Sequence, residues 1–242
     1  MDIYLERMEL LIGKEGITRL KEACVMVIGV GGVGSYAAEA LARSGIGTLI
    51  LVDHDTIAPS NLNRQIHAVF ATIGQSKPAV MKKRIYTYRN DIQVICHDEF
   101  YCAQKQSLLF SEPVDFIVDA IDTVSAKLEL IQYCLEHEIA FISSMGMANR
   151  WDPSQLQVSE LMKTKDDPLA KVMRQQVRKR GIKGKIPVVC SRELPYVQRT
   201  VVDADGLTRK QKMPPASTPF VPSAAGLLCA SQAVKHILSK IE

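Results

Sequence analysis

Short apolar runs alternate with amphipathic stretches along the first 145 positions. Val25-Met26-Val27-Ile28, Thr48-Leu49-Ile50-Leu51-Val52, Asp115-Phe116-Ile117-Val118-Asp119 and Ala140-Phe141-Ile142-Ser143-Ser144 read as strands covered on both faces, with Gln93-Val94-Ile95-Cys96 a weaker fifth. Between them, Leu5, Met8, Leu11, Ile12, Ile17 and Leu20 recur at helical spacing over 2–22. Gly13 and Gly16 interrupt that pattern, which predicts two short helices rather than one. Further helices are predicted from Gly34 to Arg43, stopped by Gly45 and Gly47, from Ser76 to Arg89 with Pro78 in the first turn, and from Ser125 to His137. Strand and helix in turn mean an α/β fold, a Rossmann-like, doubly wound, mostly parallel sheet with helices on both faces. Beyond Gly146 the rhythm changes. Strands are predicted at 155–158 and 187–190 around a helix near 169–180, and Pro214, Pro215, Pro219 and Pro222 predict an irregular loop before a closing helix, Ala224 to Ser239.

Charge divides the chain where the rhythm does. Residues 150–242 hold 17 of the 30 Lys and Arg but 8 of the 26 Asp and Glu, a net +9, which leaves 1–149 at −5. A basic second half continuing the same domain points to a polyanionic partner. No apolar run reaches the ~18–20 residues of a membrane span, and Met1–Arg7 lacks the pattern of a signal peptide. The six cysteines form no C-x-x-C pair, so they are expected to be reduced and mostly buried, in a cytoplasmic protein.

The first strand breaks into Gly29-Val30-Gly31-Gly32-Val33-Gly34 and then into the alanine-rich Ser35–Ala42. Gly29, Gly31 and Gly34 fit G-x-G-x-x-G, with Gly32 inside it: a tight turn, a close backbone approach to phosphate, and a helix lying near its strand. Phosphates would face the helix N-terminus, where free N–H groups favour negative charge. The motif by itself suits NAD, FAD and ATP alike, and Asp53, ending the second strand, could accept hydrogen bonds from any of their riboses. The next residues discriminate. Asp55, Asn61, Arg64, Gln65, Lys77 and, after another strand, Asp122 would line the same crevice, a set overbuilt for NAD but suited to ATP with Mg2+.

This ordered set resembles the ATP site of the ubiquitin-activating-enzyme-like (ThiF/MoeB/HesA) adenylyltransferase superfamily. The resemblance implies that Asp53 binds ribose, that Asn61, Arg64 and Lys77 bind phosphates, and that Asp122 serves magnesium. It also implies that Arg7, in Leu5-Glu6-Arg7-Met8-Glu9, reaches the ATP site of a second copy, making a homodimer. Within the superfamily, Ala37–Gly47, Asn63–Ala68, Asp152-Pro153, Lys163–Ala170 and Phe220–Gly226 are similar to the tRNA threonylcarbamoyladenosine dehydratase branch, and the paired C-x-x-C of sulfur-carrier activators is absent. That likeness implies a tRNA bearing threonylcarbamoyladenosine as substrate, cyclised next to the anticodon through an acyl-adenylate. It leaves an accessory sulfur-relay protein open as a further partner.

The segment 171–185 supports a nucleic-acid partner, with Lys171, Arg174, Arg178, Lys179, Arg180, Lys183 and Lys185 and no acidic residue. On a helix, Lys171, Arg174 and Arg178 share one face suited to phosphates. Ring closure by a neighbouring carbamoyl group needs no protein nucleophile; Cys190 could form a thioester, but inside an apolar strand it reads as core. Three rivals differ in their tests. An activator of a sulfur-carrier or ubiquitin-like C-terminus would exchange pyrophosphate only with its carrier. An NAD-dependent oxidoreductase would bind cofactor without Arg64, and a silent RNA-binding protein would not bind ATP.

Overall fold

Seven strands form one sheet in the order β3-β2-β1-β4-β5-β7-β6. In chain order they are β1 (Cys24–Ile28), β2 (Thr48–Val52), β3 (Gln93–His97), β4 (Phe116–Asp119), β5 (Phe141–Ser144), β6 (Leu156–Glu160) and β7 (Pro187–Ser191). All pairings are parallel except that of β6 with β7. The helices are α1 (Glu6–Glu22), α2 (Gly34–Ser44), α3 (Lys77–Ile85), a single turn α4 (Gln106–Leu109), α5 (Val124–Glu136), α6 (Pro168–Arg180) and α7 (Phe220–Leu238). The computed structural model describes residues 3–199 and 215–239.

Side chains alternate across the strands, so each apolar run feeds two cores. Val25 and Val27 point into the layer made by α1, α2, α3 and α7, whereas Met26 and Ile28 point into the layer made by α5 and α6. Each such Val, Ile or Met contributes about 1.5–3 kcal/mol when fully buried. β7 pairs with β5, so the basic second half extends the same sheet. Strand order reverses between β1 and β4, and a doubly wound sheet opens its ligand crevice there, at the C-terminal edge.

As the sequence pattern predicts, α1 is two short helices joined at a kink, where Gly13 with φ of 72° leaves the helical conformation. Two boundaries depart from that pattern. α3 ends at Ile85 rather than Arg89, because the Arg89 guanidinium turns inward to Ala42 O (2.8 Å) and Ile46 O (2.6 Å). α7 starts at Phe220, not Ala224. Pro219 caps it and Pro222 lies in its first turn, where a missing N–H breaks no intrahelical bond. Pro214 lies outside the described residues. Among those described, no helix is long and apolar enough to cross a membrane.

Candidate active site

The turn after β1 is built by its glycines. Gly29 has φ of 89°, and a Cβ there would stand 2.6 Å from Ala120 O, so the loops following β1 and β4 touch. A Cβ on Gly34 would stand 1.7 Å from Gly29 O, which only a bare α-carbon permits. Gly31 is different. The nearest atom to its Cβ position is Gln65 Nε2 at 3.9 Å, so the turn is open on that side. Asp53, buried at the end of β2, holds this loop: Oδ2 accepts from Val30 N (2.7 Å) and Oδ1 from Asp55 N (2.9 Å). Each oxygen keeps a second lone pair.

Residues remote in sequence converge on the turn. Arg64 lays Cγ and Cδ against Gly32, 3.4 and 3.5 Å from its Cβ position, and its guanidinium donates to Ser60 O (2.7 Å) and Asn63 Oδ1 (3.0 Å). Burial works against its charge and lowers its pKa, a penalty that an approaching anion would relieve. Gln65 is buried beside Gly31, and its Oε1 has no hydrogen-bond partner among the described residues. Asn61 is buried in a one-turn 3-10 helix, where Oδ1 accepts from Ala58 N (2.9 Å). Segments 55–57 and 74–77 clasp each other through Lys77 N to Asp55 O (3.1 Å) and Ile57 N to Gln75 O (2.9 Å). That clasp delivers Lys77, whose Nζ lies 2.7 Å from Asp55 Oδ2. Partial burial works against the Asp55 charge, but the Lys77 hydrogen bond and charge, with His54, hold its pKa below the ordinary carboxylate value.

Asp122 is exposed in the loop between β4 and α5, with Thr123 Oγ1 3.4 Å from its Oδ1. Beneath it lies a buried network that the sequence pattern did not single out. Lys127 Nζ donates to Asp119 Oδ2 (2.8 Å), Ser143 Oγ (3.1 Å) and Ser144 O (3.0 Å), while Ile121 N donates to Asp119 Oδ1 (3.1 Å). Lys127, Ile131 and Cys134 share one helical stripe, so a lysine heading an apolar stripe was the available signal. His67, behind Gln65, was also missed. Neither ring nitrogen has a hydrogen-bond partner among the described residues, and burial, then the charges of Lys77 and Arg84, push its pKa down to about 4.

Other expected residues lie elsewhere. Arg7 is exposed near the start of α1, two residues after Leu5, which packs on Gly45 at the opposite edge of the sheet, so it does not enter this chain's own crevice. Among the described residues the one cluster with metal-ligand spacing is Asp53, His54 and Asp55, which does not include Asp122. On α6, Lys171 is exposed near the crevice edge, and Arg178, Lys179 and Arg180 are exposed further along. Arg174 is half-buried because its guanidinium donates to Thr164 Oγ1. Lys183 and Lys185 are exposed at the far edge, where Gly184 packs on Leu135. The six cysteines are free thiols, but only Cys134, Cys190 and Cys229 are buried, fewer than expected. Burial raises the Cys190 thiol pKa, which suits core packing and not thioester chemistry.

The model of the ThiF family matches residues 5–242. A tRNA threonylcarbamoyladenosine dehydratase of Bacillus subtilis is 45% identical over 98% of this chain and 95% of its own length. One of Escherichia coli is 34% identical over 95% of this chain and 91% of its own. A crystal structure of the E. coli enzyme, TcdA, in complex with ATP superimposes with a TM-score of 0.87 at 32% identity, covering 100% of this chain and 97% of that one.

Proposed function

The chain belongs to the ThiF family, and on that footing we propose that it is an ATP-dependent tRNA threonylcarbamoyladenosine dehydratase. The observation that carries this reading is the convergence of Arg64, Gln65 and Asp53 on the glycine turn, with Lys77 clasped to Asp55 beside it. The similarity to the bacterial dehydratases extends through both halves of the chain.

A free carboxylate is a poor acyl donor, since its leaving group would be oxide. The threonyl carboxylate attacks the α-phosphorus of ATP, forming an acyl-adenylate and releasing pyrophosphate. Arg64 and Lys77 stabilise the charge on the phosphates, and the open side of Gly31 admits them. The adjacent carbamoyl group then attacks the activated carbonyl, closing a five-membered ring, losing a proton and expelling AMP. Atoms balance to the loss of one water from the nucleoside. Proximity supplies most of the second step.

Magnesium would be held by Asp122, whose exposed carboxylate carries no ion pair among the described residues, whereas Asp55 is paired with Lys77 and Asp53 accepts from two backbone N–H groups. Bound there, it would neutralise triphosphate charge. Arg7, remote from its own crevice, would serve the site of a second copy in a homodimer. In this reading residues 1–149 carry out adenylation, 150–242 face the tRNA through α6 and 183–185, and the six free thiols suit the cytoplasm. An accessory sulfur-relay protein has no residue assigned to it.

The test is to incubate the protein with ATP, magnesium and tRNA bearing threonylcarbamoyladenosine, then weigh the digested nucleoside. Loss of one water is expected. An unchanged mass, with pyrophosphate exchange that depends on a sulfur-carrier protein instead, would overturn the proposal.

A further inference from the structure

Three exposed aromatic residues follow the C-terminal ends of β5 and β7 and open α7, on the edge of the sheet that opens the crevice. Trp151 and Phe220 are in ring contact, and the Tyr196 backbone is tied to Asn149, two residues before Trp151. Trp151, Tyr196 and Phe220 are 61%, 65% and 46% exposed. Trp151 and Phe220 meet edge to face with centroids 5.4 Å apart. Two residues beyond Phe220, Pro222 Cβ lies 3.2 Å from the Cβ position of Gly32, so the rings adjoin the nucleotide turn. Large exposed rings cost solubility, and a tight backbone frame holds these in place.

That frame is polar and satisfied. Glu193 turns its carboxylate onto Trp151 N (3.0 Å to both oxygens) and Asp152 N (2.9 Å). Tyr196 N donates to Asn149 O (2.7 Å), and Asn149, in the left-handed region at φ 57°, pairs with Ala216 through N–H to O (2.7 Å) and Oδ1 to N–H (3.0 Å). Glu193 is spent on backbone N–H groups and Asp152 on Ser154 and Gln155, whereas Arg192 and Arg199 are exposed on the same segment as Tyr196. Rings interleaved with guanidinium groups, beside a crevice for a nucleotide, match unpaired bases: each base has a π-face, and the phosphates between bases are anionic.

We propose that Trp151, Tyr196 and Phe220 form a stacking platform for unpaired bases of the anticodon loop, presenting the modified adenosine to the adjoining crevice. This rests on the dehydratase reading for the identity of the RNA, but not for the stacking itself. Stacking orders a flexible loop without reading its sequence, so it supplies binding and placement rather than chemistry.

Trp151 is the single tryptophan of the chain, so its fluorescence reports on the platform alone. The full-length protein is titrated with a synthetic anticodon stem-loop RNA and with a blunt RNA duplex of equal charge. Saturable quenching by the stem-loop, and little by the duplex, is expected. Trp151→Leu and Tyr196→Leu keep apolar bulk and remove the π-face. Each is expected to raise KM for tRNA roughly tenfold while the thermal shift produced by ATP is unchanged. Equal quenching by duplex, or an unchanged KM for tRNA in both variants, overturns the platform. So does fluorescence that changes with protein concentration and not with RNA, which would mark a contact between two copies. If wild-type protein quenches with stem-loop but leaves the nucleoside mass unchanged, the dehydratase reading falls and the platform stands. Conversion without quenching removes the platform alone.

Discussion

Lys127 places its ammonium group 2.8 Å from Asp119 Oδ2 with both side chains wholly shielded from water. The pair ties the end of β4 to the end of β5, and Asp119 also holds Ile121 N, one residue before Asp122. Removing one partner of a buried pair leaves an uncompensated charge, so Lys127→Met is expected to cost about 3–5 kcal/mol. The double variant with Asp119→Asn should recover part of that loss. Urea midpoints measure both, and a cost below about 1 kcal/mol for the single variant would mean the pair is not structural.

Arg64 is held against Gly32 and donates from a planar fork. Arg64→Ala is expected to lower kcat/KM for adenylate formation by roughly 100- to 1,000-fold, read as pyrophosphate exchange with modified tRNA present. Arg64→Lys should not restore it, since an ammonium cannot reproduce the fork. Near wild-type exchange in either variant would remove Arg64 from the phosphate site.

The glycines separate folding from binding. Gly34→Ala drives its Cβ into the Gly29 carbonyl, so the turn must open and the fold weakens. Gly31→Ala meets nothing closer than 3.9 Å and is expected to fold with wild-type stability. Its methyl group nonetheless occupies the side open to phosphate. At 100 times Kd, ATP stabilises a binding-competent protein by about 2.7 kcal/mol, and Gly31→Ala should lose most of that shift. A full shift would place the phosphates elsewhere.

His67 sets an acid limb on stability. Its folded pKa is near 4 because of burial and the nearby Lys77 and Arg84 charges, against an ordinary 6.5 when unfolded. Between those values the unfolded chain binds more protons, so stability is complete above about pH 6.5 and falls as pH drops toward 4. The loss is on the order of 3 kcal/mol. His67→Phe should flatten that limb in urea midpoints taken from pH 7 to pH 4. An unchanged slope would mean His67 does not titrate out of its pocket.

Much of this was legible in sequence because it rests on local pattern. Continuous apolar runs marked the strands, and Gly29 and Gly34 marked a turn that their backbone contacts require. What escaped was decided by tertiary partners. Pro219 and Pro222 suggested a loop, yet both fit the start of α7, where no N–H is missed. Arg89 belonged to a helical pattern until the carbonyls of Ala42 and Ile46 claimed it. Lys127 makes sense only once β5 brings Ser143 and Ser144 beside Asp119. Arg174 sat on the expected basic face, but Thr164 draws its guanidinium inward.

The seating of α7 on α2 has a consequence for synthesis. A Cβ on Gly226 would stand 2.3 Å from Val33 O, so the two helices touch along their backbones across most of the chain. While the nascent chain is shorter than Phe220, β4 and β5 lack the helix that covers that side, and α2 presents a bare seam. Partners this distant in sequence close slowly. A ribosome-bound intermediate therefore exposes a sticky apolar face through most of translation, and chaperone capture at that stage should fall away only once α7 has left the ribosome and docked on α2.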